Sequence, residues 1–129
     1  MKKILIVEDD SLLLEVYQKS IQAEGYKVDT AKDYKETLEK FTPSKYGLII
    51  LDIMLNGKNG FELLKALRRQ RGGNKVKIAI VTGMNTDDLK LNKELLVGLN
   101  IIGIYTKSQF SISQLVGVVK YYMEKNESE

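Results

Sequence analysis

The sequence predicts an α/β fold in which five parallel strands form one sheet with helices on both faces. Three observations carry this expectation. Short aliphatic or β-branched runs alternate with longer amphipathic stretches along the 129 residues, the pattern of repeated β-α units. Three of the short runs, "ILIV", "LIIL" and "IAIV", are almost continuously apolar, as strands are when both faces of their sheet are covered. The amphipathic stretches carry capping residues at their ends, so they read as separate helices.

Taken in order, the strands are expected at Lys3–Val7, Lys27–Ala31, Leu48–Ile53, Lys77–Val81 and Ile101–Tyr105. The first helix, Ser11–Glu24, sets Leu13, Val16, Tyr17 and Ile21 on one face and stops at Gly25, a residue suited to a C-terminal cap. "DYKE", Asp33 to Glu36, has capping-box spacing and opens a second helix that buries Leu38 and Phe41 and ends at Pro43. The third, Phe61–Arg69, follows the turn-rich loop "NGKNG". A fourth is expected at Thr86–Val97, capped by Thr86, with Asp87 and Asp88 in its first turn and Gly98 at its end. The last opens with "SISQ", again with capping-box spacing, and runs to about Lys125, leaving residues 126–129 to fray.

A chain of 129 residues is the size of one domain that buries a core without disulfides or a structural metal. It has no cysteine and no histidine. That excludes disulfide frameworks, thiol chemistry, Cys/His zinc sites and any histidine-based triad. A metal must then sit on oxygen ligands, which favours magnesium, calcium or manganese. The opening "MKKILIVEDD" has an apolar run of only four residues before three acids, too short for a signal peptide or a membrane helix. A cytoplasmic protein with no membrane partner is therefore expected. The net charge of +3 is spread along the chain, and the basic cluster "RRQR", Arg68 to Arg71, reads as a solvated helix end that suits the dipole. No direct nucleic-acid binding is expected.

In an open parallel sheet, ligands gather at the carboxyl ends of the strands. Those ends carry Glu8, Asp9 and Asp10 after the first strand, Asp52 after the third, Thr82 and Gly83 after the fourth, and Lys107 after the fifth. Converging carboxylates repel by about 4 kcal/mol for a pair roughly 4 Å apart at an effective dielectric near 20. The pocket calls for a cation. Few protein ligands, with room for water and phosphate oxygens, describe a magnesium site better than a calcium cage. A carboxylate beside magnesium and a lysine can attack a phosphoryl group and keep it as an acyl phosphate. Thr82 adds a hydroxyl for the new oxygens. Asp10 reads as a helix N-terminal acid rather than a ligand.

The ordered set "VEDD", "LIILD", "VTG" and "YTK" resembles the receiver domain of two-component response regulators of the stand-alone chemotaxis type. The resemblance covers residues 1–125. It implies a doubly wound, flavodoxin-like (βα)5 fold with strand order 2-1-3-4-5. It also implies that Asp52 is the phosphoacceptor, taking its phosphoryl group from a sensor histidine kinase or phosphotransfer protein with magnesium, or manganese in its place. By the same resemblance Asp9 and Asp52 are metal ligands with the backbone carbonyl of Met54, and Glu8 acts through water. Thr82 is then the switch hydroxyl and Lys107 the phosphate-binding lysine. Tyr105, two residues before the lysine, is the aromatic switch, read by an output protein or a C-terminal output domain. Such a module is not an enzyme and only assists its own phosphorylation and dephosphorylation.

The sequence departs from that pattern in places. Ser108 follows Lys107 where the family has proline, often after a cis bond. A cis bond costs roughly 2.5–4 kcal/mol before serine, against 0.5–1 before proline, so a trans or rearranged loop is expected. "SQF" is one residue longer than usual. Asn56 stands where proline is common, and "NG" at Asn59 and Gly60 where "DG" is typical; both keep turn chemistry. The stretch from Thr82 to Lys107 is a few residues long for the pattern. A dehalogenase-type phosphohydrolase would want a second aspartate where Met54 stands. A nucleotide-binding flavodoxin-like module would want a phosphate loop where "EDDS" is acidic. A degenerate receiver that only binds proteins is opposed by retention of every strand-end group.

Overall fold

The apolar runs pair as buried strands must. β1 (Lys3–Val7), β2 (Val28–Ala31), β3 (Tyr46–Leu51), β4 (Lys77–Thr82) and β5 (Gly103–Thr106) form a parallel sheet in the order β2-β1-β3-β4-β5, the expected order. The computed structural model describes residues 2–42, 44–56, 58–70, 73, 75–83 and 98–128. The expected helix at Thr86–Val97 and the helix breaker Pro43 lie outside them.

Alternation along the strands divides the core in two. On one face, Leu5, Val7, Ile49, Leu51, Ile78 and Ile80 pack with Phe41, Phe61, Leu63, Leu64 and Leu67. These last residues come from α3 (Phe61–Arg69) and the end of α2 (Tyr34–Lys40). On the other, Ile4, Ile6, Leu48, Ile50, Ala79 and Val81 pack with α1 (Ser11–Gln22) and α4 (Ile112–Ser128), which contribute Leu14, Tyr17, Ile21, Leu115, Val119 and Met123. Each large aliphatic side chain buried this way contributes about 1.5–3 kcal/mol.

Several boundaries differ from expectation. α1 buries Leu14, Tyr17 and Ile21, a stripe at helical spacing, while Val16 stays 47% exposed, because it sits about 100° around the helix from Tyr17. The chain turns at Gly25 with φ +94°, in the left-handed region. β3 starts at Tyr46 and stops at Leu51 rather than running from Leu48 to Ile53. It can begin with a buried tyrosine because the hydroxyl donates to Asp29 at 2.7 Å. It stops early because Met54–Leu55 turns away and pairs antiparallel with Lys58–Asn59. β5 starts two residues late and continues to Thr106, and α4 runs to Ser128, three residues past its expected end. Both predicted caps of α2 and α4 form: Asp33 accepts the Glu36 N–H at 2.7 Å, and Ser111 and Gln114 exchange bonds of 2.8 and 3.1 Å.

Arg68 corrects the reading of "RRQR" as a solvated helix end. Its guanidinium donates to four backbone carbonyls: Leu99 at 2.8 Å, Gly73 at 2.8 Å, Val76 at 2.6 Å and Asn100 at 3.1 Å. Burial lowers its pKa. The arginine ties the end of α3 to the turns before β4 and β5.

Candidate functional site

The strand ends meet in a small acidic pocket. Glu8 and Asp52 leave β1 and β3 side by side, with the Glu8 N–H on the Ala31 carbonyl and the Asp52 N–H on the Val7 carbonyl, both at 3.0 Å. That extension of the strand ladder draws both carboxylates inward, leaving Glu8 2% and Asp52 3% exposed. Asp9 is half-buried beside them, and one carboxylate oxygen from each of the three lies within 4.8 Å of the others. Lys107 enters from a 3-10 turn, Lys107–Gln109, that follows β5. Its Nζ donates to Asp52 Oδ2 at 2.7 Å and to Glu8 Oε1 at 2.8 Å.

Backbone donors hold the remaining oxygens. The Met54 N–H bonds Asp52 Oδ1 at 2.9 Å, and the Asn56 N–H bonds Asp9 Oδ2 at 2.8 Å. Asn56 adopts φ +54°, which brings its N–H onto Asp9 from the turn between Leu55 and Lys58. Asp10 stays out of the pocket. Its Oδ1 accepts the N–H groups of Leu12 and Leu13 at 3.0 and 3.2 Å, the helix-capping role expected for it.

Burial dominates the electrostatics. It drives the Glu8 carboxyl upward; the Lys107 bond pulls it back and Asp52 adds to the rise, leaving Glu8 at about 7. Burial lowers the Lys107 ammonium, but the bonds to Asp52 and Glu8 outweigh it and the net shift is upward. Lys107 therefore stays charged at neutral pH, one cation against a cluster of three acids. Tyr17, on α1, is raised by burial, with smaller effects from the Lys107, Glu8 and Asp52 charges.

The structure unites Glu8, Asp9, Asp52, Met54 and Lys107. Thr82 is buried at the end of β4, where it pairs with Thr106. Tyr105 stands apart. It pairs with Val81 and packs in the core shared by α1 and α4, so alternation puts it on the sheet face opposite Thr82. No peptide bond among the described residues is cis, so the Lys107–Ser108 bond is trans, as its serine predicts, and Lys107–Gln109 form a 3-10 turn before Phe110. Sequence reasoning missed the backbone contacts of Asn56, for which the only signal was the hairpin-forming pair Asn56-Gly57. It also missed Phe110, stacked on Tyr105 with ring centroids 4.5 Å apart.

Residues 4–119 match the model of the response regulator receiver domain. The chain belongs to that family. Among curated relatives of this receiver is the alkaline phosphatase synthesis transcriptional regulatory protein PhoP of Bacillus subtilis, 41% identical over 70 residues, 54% of this chain and 29% of that protein. The regulatory protein VanRB of Enterococcus faecalis is 38% identical over 86 residues, 67% of this chain and 38% of the relative. The receiver thus matches well under half the length of these relatives. Among solved structures, a CheY-like receiver domain protein from Methanospirillum hungatei superimposes with a TM-score of 0.83 at 27% identity, covering 99% of this chain and 98% of that one. The response regulator TrrA of Thermotoga maritima, in complex with Mg2+-BeF, gives 0.74 at 30% identity over 95% and 99% of the two chains. Family and fold place this receiver in two-component signalling, and no helix among its described residues is long and apolar enough to cross a membrane.

Proposed function

We propose that Asp52 is the phosphoacceptor of a receiver unit spanning residues 1–125. The observation that carries this reading is the buried Asp52 carboxylate, held at 2.7 Å by Lys107 Nζ beside two further acids. An Asp52 carboxylate oxygen attacks the phosphorus of a phosphohistidine, the P–N bond breaks, and the imidazole nitrogen keeps the bonding pair and takes a proton from solvent. Lys107 moves from the bare carboxylate to the phosphoryl oxygens, and the Thr82 hydroxyl donates to another. Desolvation strengthens each of these bonds over its value in water.

The donor set fits a divalent cation: three carboxylates clustered within 4.8 Å, all hard oxygens, with Lys107 the one ammonium bonded to them among the described residues. Asp9, Asp52 and the Met54 carbonyl would hold magnesium, or manganese in its place, with Glu8 acting through water. When bound, the ion supplies the charge that neutralises the phosphoryl oxygens. The phosphate donor is a sensor histidine kinase or a phosphotransfer protein in the cytoplasm, and the state is read by an output protein or a C-terminal output domain. The chain acts on no substrate beyond its own acyl phosphate.

The test is phosphotransfer from labelled kinases with and without magnesium. Label is expected on the wild-type chain with magnesium and absent from Asp52→Asn. Equal labelling of Asp52→Asn would overturn the assignment.

A further inference from the structure

The resemblance links Tyr105 to Thr82, but the sheet lies between them. Val81 and Tyr105 are paired residues, as are Thr82 and Thr106, so the Tyr105 ring and the Thr82 hydroxyl sit on opposite faces. Ile104, paired with Ile80, and Thr106 are the β5 side chains that share the Thr82 face.

The contact Tyr105 does make is with Phe110, centroids 4.5 Å apart and planes within 22°. These rings flank the turn that carries Lys107, one two residues before it and one three residues after. Gly103 makes room for the arrangement: a Cβ there would come within 2.7 Å of the Tyr105 hydroxyl and 2.9 Å of its ring. The ring is laid back along bare strand. Ser108 and Gln109 within the turn are exposed, so the turn, which lacks the stiffening of proline, is fixed at its two ends. The far end runs into the capped start of α4. Beside the stack opens a groove of about 410 Å³ lined by Tyr105, Phe110, Gln114, Val118, Tyr121 and Tyr122.

We propose that the Tyr105–Phe110 stack positions the Lys107 turn and carries the state of Asp52 to this groove, on the face opposite Thr82. Lys107 Nζ bonds Asp52 Oδ2 directly, so a phosphoryl group on that oxygen displaces the ammonium. A three-residue turn between two stacked rings passes that displacement to the rings. Phe110 acts here as a positioning residue.

This rests on Asp52 as phosphoacceptor, and the experiment separates the two. The full chain with magnesium is titrated with beryllofluoride. Binding is followed at the Met54 amide by NMR, and the relay at the Tyr105 ring, assigned through Tyr105→Phe. The Tyr105 signals are expected to shift on binding, to keep shifting in Thr82→Ala at saturating beryllofluoride, and to stop shifting in Phe110→Leu, which retains an apolar side chain to hold the fold. Beryllofluoride affinity is expected to fall several-fold in Phe110→Leu and to return in Phe110→Tyr. Binding without a Tyr105 shift, or a shift lost in Thr82→Ala but kept in Phe110→Leu, overturns the relay and leaves the phosphoacceptor reading intact. A wild-type chain that does not bind beryllofluoride overturns both.

Discussion

Asp29 on β2 shows what one side chain can hold together. Its carboxylate accepts the Tyr46 hydroxyl at 2.7 Å and lies 3.5 Å from Lys3 Nζ and 3.2 Å from Lys45 Nζ. Burial pushes this carboxyl up, but the bonds from Tyr46 and Lys45 and the charges of Lys45 and Lys3 outweigh it and hold it below its ordinary value of 3.8. A depressed carboxyl contributes stability that is present above the unfolded-state value and is lost as pH falls through the folded one. Acid titration of the unfolding free energy is therefore expected to show a loss below pH 3.8 that Asp29→Asn lacks. At neutral pH the same variant is expected to be destabilised by about 1–2 kcal/mol in urea unfolding, since it gives up a charge-assisted bond at a partly buried site. None of this is visible in the sequence, where Lys3, Asp29 and Lys45 are isolated charges. Arg68 escaped for a similar reason, since its four carbonyl partners belong to backbone whose path local residue types do not specify.

At the scale of elements, the hairpin after Asp52 and the helix α4 carry the clearest tests. Asn56 sits at φ +54° and its N–H holds Asp9. Proline, common at this place in the family, fixes φ near −65° and has no N–H. Asn56→Pro is expected to cost more than about 1 kcal/mol and to loosen Asp9, whereas Asn56→Gly is expected to stay within about 0.5 kcal/mol of wild type. Thermal unfolding of the two variants measures the difference. In α4, Gly117 lies mid-helix, and a Cβ there would meet nothing within 4 Å. Gly117→Ala is expected to stabilise the chain by about 0.5–1 kcal/mol through helix propensity alone, read as a higher urea midpoint at unchanged slope. Most elements were legible because their periodicity and caps are local. The early stop of β3 was not, because "LIILDIML" reads as a continuous run until Met54–Leu55 is seen to pair with Lys58–Asn59.

At the scale of the molecule, the sheet brings three acids and one lysine to one rim. The fold holds these charges together against their repulsion, so a cation that relieves it should stabilise the folded state. Magnesium at about 100 times its dissociation constant is expected to add about 2.7 kcal/mol, seen as a rise in melting temperature that chelation reverses. Asp9→Asn is expected to abolish most of that rise. A magnesium response unchanged in Asp9→Asn would place the ion elsewhere. The sequence by itself determined the alternation of strands and helices among the described residues, the caps of α2 and α4, the class of the fold and the chemical types at each strand end, because each is written in short-range pattern. Only the tertiary structure decided that Lys107 reaches both Asp52 and a glutamate 99 residues away, and that Tyr105 turns its back on Thr82. Those facts depend on strand register, and a shift of one residue sends every side chain to the other face.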